Sequence, residues 1–327
     1  MKDAKIAGKY SKGTTSPTSA QVLTIGELVE PKYPEYQPAI DLANELFEAT
    51  PARTNIPIRR SFVQNKKDGT PSPLSNLVGR GGRGGVVAAK LYISLIWRCS
   101  ARPFNTDVPP RTWAALLGLE DPARKGARRI TNALNLLETE NLIKLKRSRG
   151  VPSKITLLDE SGDETPYLAP SEAYQSGEKT RDIYFKLPVT LWTEPKAYAQ
   201  RMSSGALVML LILLESGSGA PTTLAEGTEQ WWSVDIFQKR YTVSSPMRSR
   251  GTKELIEMGI LYVRKQNVSS YRGQGSFAKE KVRNVYRLQN AALVRSNKSL
   301  DRPDLPTANT FEEKLRQLPN SMRAKPI

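Results

Sequence analysis

Two stretches of the chain, residues 86–158 and 203–288, contain the same kinds of segment in the same order. Each begins with a run that is apolar on nearly every side of a helix, VVAAKLYISLIWRCS in the first stretch and ALVMLLILL in the second. A short helix, a two-faced helix and two basic strand-like runs around a turn follow. A helix that is apolar all round is buried by its neighbours, so we expect a central first helix in each stretch.

The two-faced helix of the first stretch begins at Asp121 and Pro122, a pair that favours a helix start. Its apolar residues recur at spacings of three and four and therefore share one face. These residues are Ala127, Ile130, Leu134 and Leu137. The other face is polar and largely basic, and it consists of Arg124, Lys125, Arg128, Thr131, Asn132 and Asn135. We predict that the apolar face is buried and the basic face exposed.

The corresponding helix of the second stretch opens at Ser245 and Pro246. Its inward side is predicted to consist of Met247, Gly251, Leu255 and Met258. Its outward side is predicted to carry Arg248, Ser249, Thr252 and Lys253. Each two-faced helix is followed by a predicted β-hairpin, at residues 144–158 in the first stretch and 261–288 in the second.

Three helices followed by a basic hairpin are the parts of a winged helix-turn-helix domain. The sequence therefore predicts a mainly α fold with small β-hairpin wings, in the α+β class, with two tandem winged helix-turn-helix domains. We predict the following division of the chain: a flexible basic arm at 1–30, an extended lead-in with one helix and a Gly/Arg hinge at 31–85, a first winged-helix domain at 86–158, an acidic, flexible linker at 159–180, a second winged-helix domain at 181–290, and a tail with a short amphipathic helix at 291–327.

Three segments of this division have two interpretations each. The hinge GRGGRGG is either a mobile connector or an arm that lays Arg80 and Arg83 along phosphates or a minor groove. The tail helix at 310–318 either docks onto its own domain or serves as a helical peptide for a partner. Trp231 and Trp232 precede a helix start at Ser233, which fits a hydrophobic staple, with base stacking on single strands as the alternative.

The positive charge is concentrated in the two helix-and-wing segments. Residues 122–158 contain nine Lys/Arg and two Asp/Glu, a net charge of +7, and residues 239–288 contain twelve and three, a net charge of +9. The whole chain has a net charge of +17. Phosphate neutralisation needs cations along a docking surface, so this distribution favours a double-stranded DNA partner over a merely solvated surface.

Several classes of chemistry are excluded or disfavoured. The chain has no histidine and a single cysteine, Cys99, which excludes His-dependent catalysis, a Cys-based zinc site and an intrachain disulfide. There is no GxxxxGK[ST] phosphate loop, and the longest apolar run, residues 206–214, is too short to span a membrane. We expect no enzyme activity, no metal, no cofactor and no membrane association. A recombinase-like nucleophile at Tyr286, beside Arg283 and Arg287, is a weaker alternative.

The predicted DNA contacts lie on the two-faced helices and the wings. Arginine bidentate to guanine and asparagine bidentate to adenine are common base readers in the major groove. We predict helix contacts from Arg124, Lys125, Arg128, Asn132, Arg248, Ser249, Arg250, Thr252 and Lys253. We predict wing contacts to phosphate or the minor groove from Lys146, Arg147, Arg149, Arg264, Lys265, Tyr271 and Arg272.

The layout resembles the plasmid replication initiators that bind origin repeats with two winged-helix domains. The resemblance covers residues 86–290 and rests on the helix order, the helix ends LLETENLI and LIEMGIL, and the basic wings. GRGGRGGVVAAKLYISLIW and RTWAALLGL also resemble actinobacterial mobile-element proteins of plasmids and prophages. The resemblance implies binding to DNA repeats without nucleotide hydrolysis, recruitment of a helicase, and a switch between dimer and monomer.

Three hypotheses for the function follow. The chain is an origin-binding replication initiator, a transcriptional repressor or regulator, or a centromere-binding partition adaptor that links DNA to a filament protein. A second copy of the chain, and a replication or filament protein held by the tail helix, are further candidate partners. We expect a cytoplasmic, nucleoid-associated protein.

Overall fold

The computed structural model describes residues 33–50, 54–79, 84–170, 172, 183–217, 228–267, 282–289 and 293. The predictions for the N-terminal arm, Arg80, Arg83, Tyr271, Arg272 and the tail helix at 310–318 lie outside these residues. Within them the fold is a mixture of helices and small antiparallel sheets.

The described elements follow one another as short helices and strands. The helices are α1 (Gln37–Ala49), α2 (Pro73–Gly79), α3 (Gly84–Arg98), α4 (Pro110–Leu116), α5 (Ala127–Thr139), α6 (Thr190–Thr193), α7 (Tyr198–Arg201), α8 (Ser204–Ser216), α9 (Val234–Tyr241) and α10 (Ser245–Glu257). The strands are β1 (Asn55–Arg59), β2 (Asn105–Thr106), β3 (Ile143–Lys146), β4 (Lys154–Leu157), β5 (Tyr184–Pro188), β6 (Leu261–Asn267) and β7 (Val282–Leu288). Turns of 3-10 helix cover Pro34–Tyr36 and Arg60–Phe62, and a π turn, Pro122–Gly126, leads into α5.

The first stretch has its helices and hairpin where the sequence predicts them. α3 is buried along almost its whole length, from Val87 to Trp97, as its apolar composition requires. α4 and α5 follow, and β3 and β4 form the antiparallel hairpin. The sequence did not predict β2, a strand of two residues between α3 and α4, which pairs with β4 and gives the sheet order β2-β4-β3.

The second stretch repeats these connections. Ser203 caps α8, and Ser233 caps α9 at the predicted helix start, since their hydroxyls accept hydrogen bonds from the amides of Ala206 and Ile236. The cap of α10 is Ser244 and not Ser245. Between α8 and α9, Gln230 forms an antiparallel bridge with Tyr286 on β7, the strand that also pairs with β6. In both stretches, therefore, the short extended piece before the second helix pairs with the last strand.

The lead-in is part of the same compact unit as both stretches. β1 pairs with β5 in antiparallel register, from Asn55 opposite Pro188 to Arg59 opposite Tyr184. α1, which the sequence predicts at 39–49, packs against α4 and α6. One hydrophobic cluster contains core residues of the lead-in, the first stretch and the second stretch, including Leu46, Trp97 and Leu211. The lead-in thus joins the two stretches through strand pairing and a shared core.

Two adjacent arginines of the lead-in bind acidic side chains, Arg59 those in the predicted linker and Arg60 one in the second stretch. Arg59 is buried and its guanidinium contacts Glu160 and lies 3.3 Å from Asp159, measured from Nε to Oδ2. Arg59 also donates to the backbone oxygen of Leu168 at 2.6 Å. Asp159 and Glu160 begin the predicted acidic linker, and both are buried. They are components of the interior and not of a solvated loop.

Arg60 binds the buried carboxylate of Glu215 at the end of α8, with 2.6 Å between Nε and Oε1. Two residues of α9 bind the same carboxylate, Arg240 at 3.1 Å and the Tyr241 hydroxyl at 2.7 Å. Asn65 adds a hydrogen bond of 2.9 Å to the Lys239 carbonyl oxygen. Charged and polar contacts therefore attach the lead-in to the linker and to the second stretch.

The buried carboxyl group of Glu160 makes stability dependent on pH. Burial raises its pKa from the usual 4.5 to about 7, although Arg59 opposes this rise. Because the folded pKa lies above the unfolded value, the folded state binds more protons between these values. We expect the free energy of unfolding to fall as the pH rises from about 4.5 through about 7. Urea unfolding at pH 5 and pH 8 measures this, and Glu160→Gln should flatten the dependence. An unchanged dependence in Glu160→Gln would show that other groups cause it.

Candidate nucleic-acid interface

The outer face of α5 and the turn before it are exposed as the sequence predicts. Arg124, Lys125, Arg128 and Asn132 are exposed, whereas Ile130, Leu134 and Leu137 are buried. Lys125 has an exposed partner, Glu120, at 3.3 Å. The side chains of Arg124, Arg128 and Asn132 make no hydrogen bond or ion pair within the described part of the chain. Three of the predicted base readers are thus available to a ligand.

The hairpin after α5 has a basic solvent-facing side. The register places Lys146 directly opposite Lys154, and Lys144 two residues away on the same face of β3. All three lysines are exposed. Like charges directly opposite each other destabilise a sheet, since their Cβ atoms are only about 4.5–5.5 Å apart. A polyanion bound across the hairpin would relieve this repulsion.

The two other predicted contacts of the first hairpin differ from each other. Arg149 is exposed in the turn. Arg147 is held by α5, since it donates to Asn135 at 3.0 Å and to Glu138 at 2.7 Å. Lys144 and Lys154 are not among the predicted contacts, and the register of β3 and β4 shows that they lie beside Lys146.

The predicted base readers on α10 differ in exposure, unlike those on α5. Ser249, Arg250 and Lys253 are exposed. Arg248 packs inward, with its guanidinium carbon 4.0 Å from the centre of the Phe237 ring and a hydrogen bond of 3.1 Å to the Tyr286 hydroxyl. The hydroxyl of Thr252 is buried. The structure therefore turns Arg248 inward against Phe237 and Tyr286 and buries the Thr252 hydroxyl, and it leaves the other three side chains exposed.

The second hairpin carries an ion pair at one predicted contact. Arg264 forms two hydrogen bonds to the carboxylate of Glu229, at 2.9 and 2.7 Å. This interaction lowers the pKa of Glu229 and raises that of Arg264. Lys265, the next residue, is exposed. The charge of Arg264 is thus paired with Glu229, whereas Lys265 is exposed for a phosphate contact.

A buried lysine lies close to both two-faced helices. Lys90 on α3 donates from Nζ to the Gln200 carbonyl oxygen at 3.0 Å. Burial lowers its pKa to about 8; the nearby charge of Glu254 on α10 raises it and that of Arg129 on α5 lowers it. Charges on both two-faced helices therefore act on one buried group of the core.

Cys99 is buried, which raises its pKa to about 12. Within the described ranges, no group of three or more histidine, cysteine, aspartate or glutamate residues could hold a metal ion. None of the helices that the structure describes is both long and apolar enough to cross a membrane. Comparison with protein-family models, curated proteins and solved structures finds no match to this chain.

Proposed function

We propose that this chain is a sequence-specific double-stranded DNA-binding protein with two winged-helix domains, one formed by α3–α5 with β2–β4 and the other by α8–α10 with β6 and β7. The order of elements supports this proposal, because each set consists of a helix, a short extended piece, two helices and a hairpin. The sheet connections support it too, since the extended piece pairs with the last strand in both sets.

The observation that carries the proposal is that exposed basic side chains lie on both α5 and the hairpin of the first set. Arg124, Arg128 and Asn132 are exposed along one side of α5 and its leading turn. Lys146 and Lys154 face each other on the hairpin that follows. These side chains combine base-reading chemistry with phosphate-binding chemistry, which is the combination that a major-groove helix and its wing require.

The groups on this surface have different roles in the proposed complex. α5 lies in the major groove, where Arg124 and Arg128 donate to guanine O6 and N7, and Asn132 pairs with adenine. The wing lysines bind phosphates and add affinity for any sequence. On α10, Ser249, Arg250 and Lys253 contact a second groove, while Arg248 holds the helix against Phe237 and Tyr286.

We infer that the biological role is replication initiation at the origin of a plasmid or prophage. One chain contributes two nonidentical readers that share one core, and this arrangement suits a long asymmetric site. Deleting the gene from its element should abolish replication of that element. If replication continues and transcript levels near a bound promoter change, the regulator hypothesis replaces this one. Capture of a filament protein would favour the partition adaptor instead.

Replacing Arg128 with alanine tests the base-reading role of α5. Bound duplexes are first selected from a random pool, and affinities are then measured for the selected site and for its single-base variants. We expect a loss of about 1–3 kcal/mol on the selected site, with relaxed preference at one base pair. Arg102→Ala is the matched control, since Arg102 is exposed outside this surface and pairs with Glu172. An unchanged base preference would contradict the role of Arg128.

Replacing both Lys146 and Lys154 with alanine tests the phosphate-binding role of the hairpin. We expect weaker binding to all duplexes alike, and a salt dependence whose slope falls by about 1.8, because each lost phosphate contact removes about 0.9. The same substitutions should raise the free energy of unfolding slightly, since they remove the repulsion between opposite lysines. A salt slope equal to that of the parent protein would place the hairpin away from the DNA.

A further inference from the structure

The sheet of the second stretch has a solvent-facing side that the proposed duplex contacts do not use. Register pairs Tyr262 with Arg287 and Gln266 with Arg283, and paired residues point to the same side. The intervening residues Leu261, Tyr286 and Leu288 are buried in the core. Val285, which pairs with Arg264 on this side, is buried. We call this side the outer sheet face and define it by its exposed and half-buried residues Trp231, Tyr262, Arg264, Gln266, Arg283 and Arg287.

Trp231 belongs to this face by the same alternation. Gln230 is bridged to Tyr286, so residues 229–231 run beside β7. Trp232 lies on the core side, where its ring centre is 5.7 Å from that of Phe237 and 5.5 Å from that of Tyr286. Trp232 thus forms the predicted hydrophobic staple, since it precedes the cap Ser233 and meets the fourth residue of α9. Trp231 points the opposite way and has no part in the staple.

The two aromatic rings of the outer sheet face are exposed, and an arginine guanidinium lies over each of them. Trp231 is 51% exposed and Tyr262 is 43% exposed. The guanidinium carbon of Arg283 lies 4.2 Å from the centre of the Trp231 ring, and that of Arg287 lies 5.1 Å from the Tyr262 ring. Gln266 fixes Arg283 with two hydrogen bonds, of 3.0 and 2.8 Å. Gln266 is neutral, so these bonds orient the guanidinium without neutralising its charge.

We propose that the outer sheet face binds single-stranded nucleic acid. Unpaired bases stack on Trp231 and Tyr262, and Arg283 and Arg287 extend the stacking planes and attract the phosphates. A duplex cannot use these rings, because its base faces are covered by neighbouring base pairs. Neighbouring β-strands are about 4.8 Å apart. Trp231 and Tyr262 lie on either side of β7, so the two rings can stack on different bases of one nucleic-acid strand.

The charges of the face favour a nucleic acid over a protein. Three arginines lie on the face, and the acidic residue beside them in the described part of the chain is Glu229, which is paired with Arg264 and whose charge also acts on Arg287. The centre of a protein interface is depleted of charged residues, whereas a groove for single strands combines cations with aromatic rings. The proposal is independent of the duplex contacts of α5, because none of those residues lies on this face.

Binding of a 12-nucleotide oligo(dT) to the full chain tests the proposal. We expect Trp231→Ala to weaken binding at least about 5-fold, and Trp231→Ala with Tyr262→Ala to weaken it further, while affinity for the selected duplex is unchanged. Trp231→Phe should restore part of the affinity, because an aromatic plane is retained. Val234→Ala is the control, since Val234 is 70% exposed on neighbouring α9 and lies outside the face.

Tryptophan fluorescence of the unsubstituted chain gives a second measurement that needs no stable alanine variant. A base that stacks on Trp231 should quench its emission, and Trp231→Phe should lack this part of the signal. No binding of the parent protein to oligo(dT), or equal binding by the double alanine variant, would overturn the proposal. Binding of an acidic peptide but not of the oligonucleotide would assign the face to a protein partner. Loss of duplex binding alone would count against the proposed function and not against this face.

Discussion

Replacing Arg59 with alanine should lower the free energy of unfolding by about 3–5 kcal/mol at pH 8, because it leaves two buried carboxylates without their cation. Asp159 and Glu160 are both buried, and Arg59 contacts each of them. The hydrogen bond from Arg59 to the Leu168 carbonyl oxygen is lost as well. Urea unfolding followed by circular dichroism measures the change.

The cost of Arg59→Ala should be smaller at pH 5 than at pH 8. Burial already raises the pKa of Glu160 to about 7, and Arg59 is the charge that opposes this rise. Without Arg59 the carboxyl group therefore binds a proton more readily, which removes one uncompensated charge at pH 5. Adding Glu160→Gln to Arg59→Ala should recover part of the stability at pH 8, since the amide carries no charge.

Arg60→Ala is the matched control, because Arg60 is the next residue and also binds a buried carboxylate. The Arg60 side chain is 36% exposed, and Glu215 keeps Arg240 and Tyr241 as partners. We expect a loss of about 1 kcal/mol, as for partly exposed ion pairs. Equal losses of unfolding free energy for the two variants would contradict a stabilising role of the contact between Arg59 and Glu160. A loss for Arg59→Ala that does not depend on pH would contradict it as well.

Local patterns in the sequence predict the elements that depend on neighbouring residues. The spacing of Ile130, Leu134 and Leu137 identifies the buried side of α5, and the exposed side follows from it. Ser203 and Ser233 identify the starts of α8 and α9, because a serine cap acts on amides only three residues away. These interactions are short-range, and their signals can therefore be read along the chain.

Contacts between distant parts of the chain leave no such signal. Arg59 and Glu160 are 101 residues apart, and nothing in either local sequence indicates the partner. The same holds for the pairing of β1 with β5 and for Lys154 opposite Lys146, which require the register of the strands. Arg248 has the spacing of an outward residue, but its long side chain reaches back to the rings of Phe237 and Tyr286.

These distant contacts bear on the proposed reading of DNA. One hydrophobic cluster contains buried residues of both α5 and α10, including Ile130 and Leu255, and the lead-in binds acidic groups of the linker and of the second stretch. The two proposed readers are therefore held by one core and not by a free linker. Binding by α10 therefore depends on the contacts that fix its backbone against α8 as well as on its exposed side chains.

Replacing Gly251 with alanine should destabilise the protein by about 3 kcal/mol, at the upper end of the range for overpacked cores. A Cβ atom at this position of α10 would lie 2.1 Å from the Gly205 carbonyl oxygen on α8. The backbone of α10 fixes the position of the Cβ atom and the oxygen belongs to the backbone of α8, so no rotamer change can relieve the contact and the helices must separate. Separation would also move Ser249, Arg250 and Lys253 on α10.

Gly79→Ala is the control for Gly251→Ala, since Gly79 ends α2 and a Cβ atom there would meet no atom within 4 Å. It should leave stability unchanged or raise it slightly, because alanine restricts the unfolded chain more than glycine does. Urea unfolding compares the two variants, and binding to the selected duplex shows whether a displaced α10 also weakens recognition. If Gly251→Ala is as stable as Gly79→Ala, the close approach of α8 and α10 at Gly205 is not a feature of the folded protein.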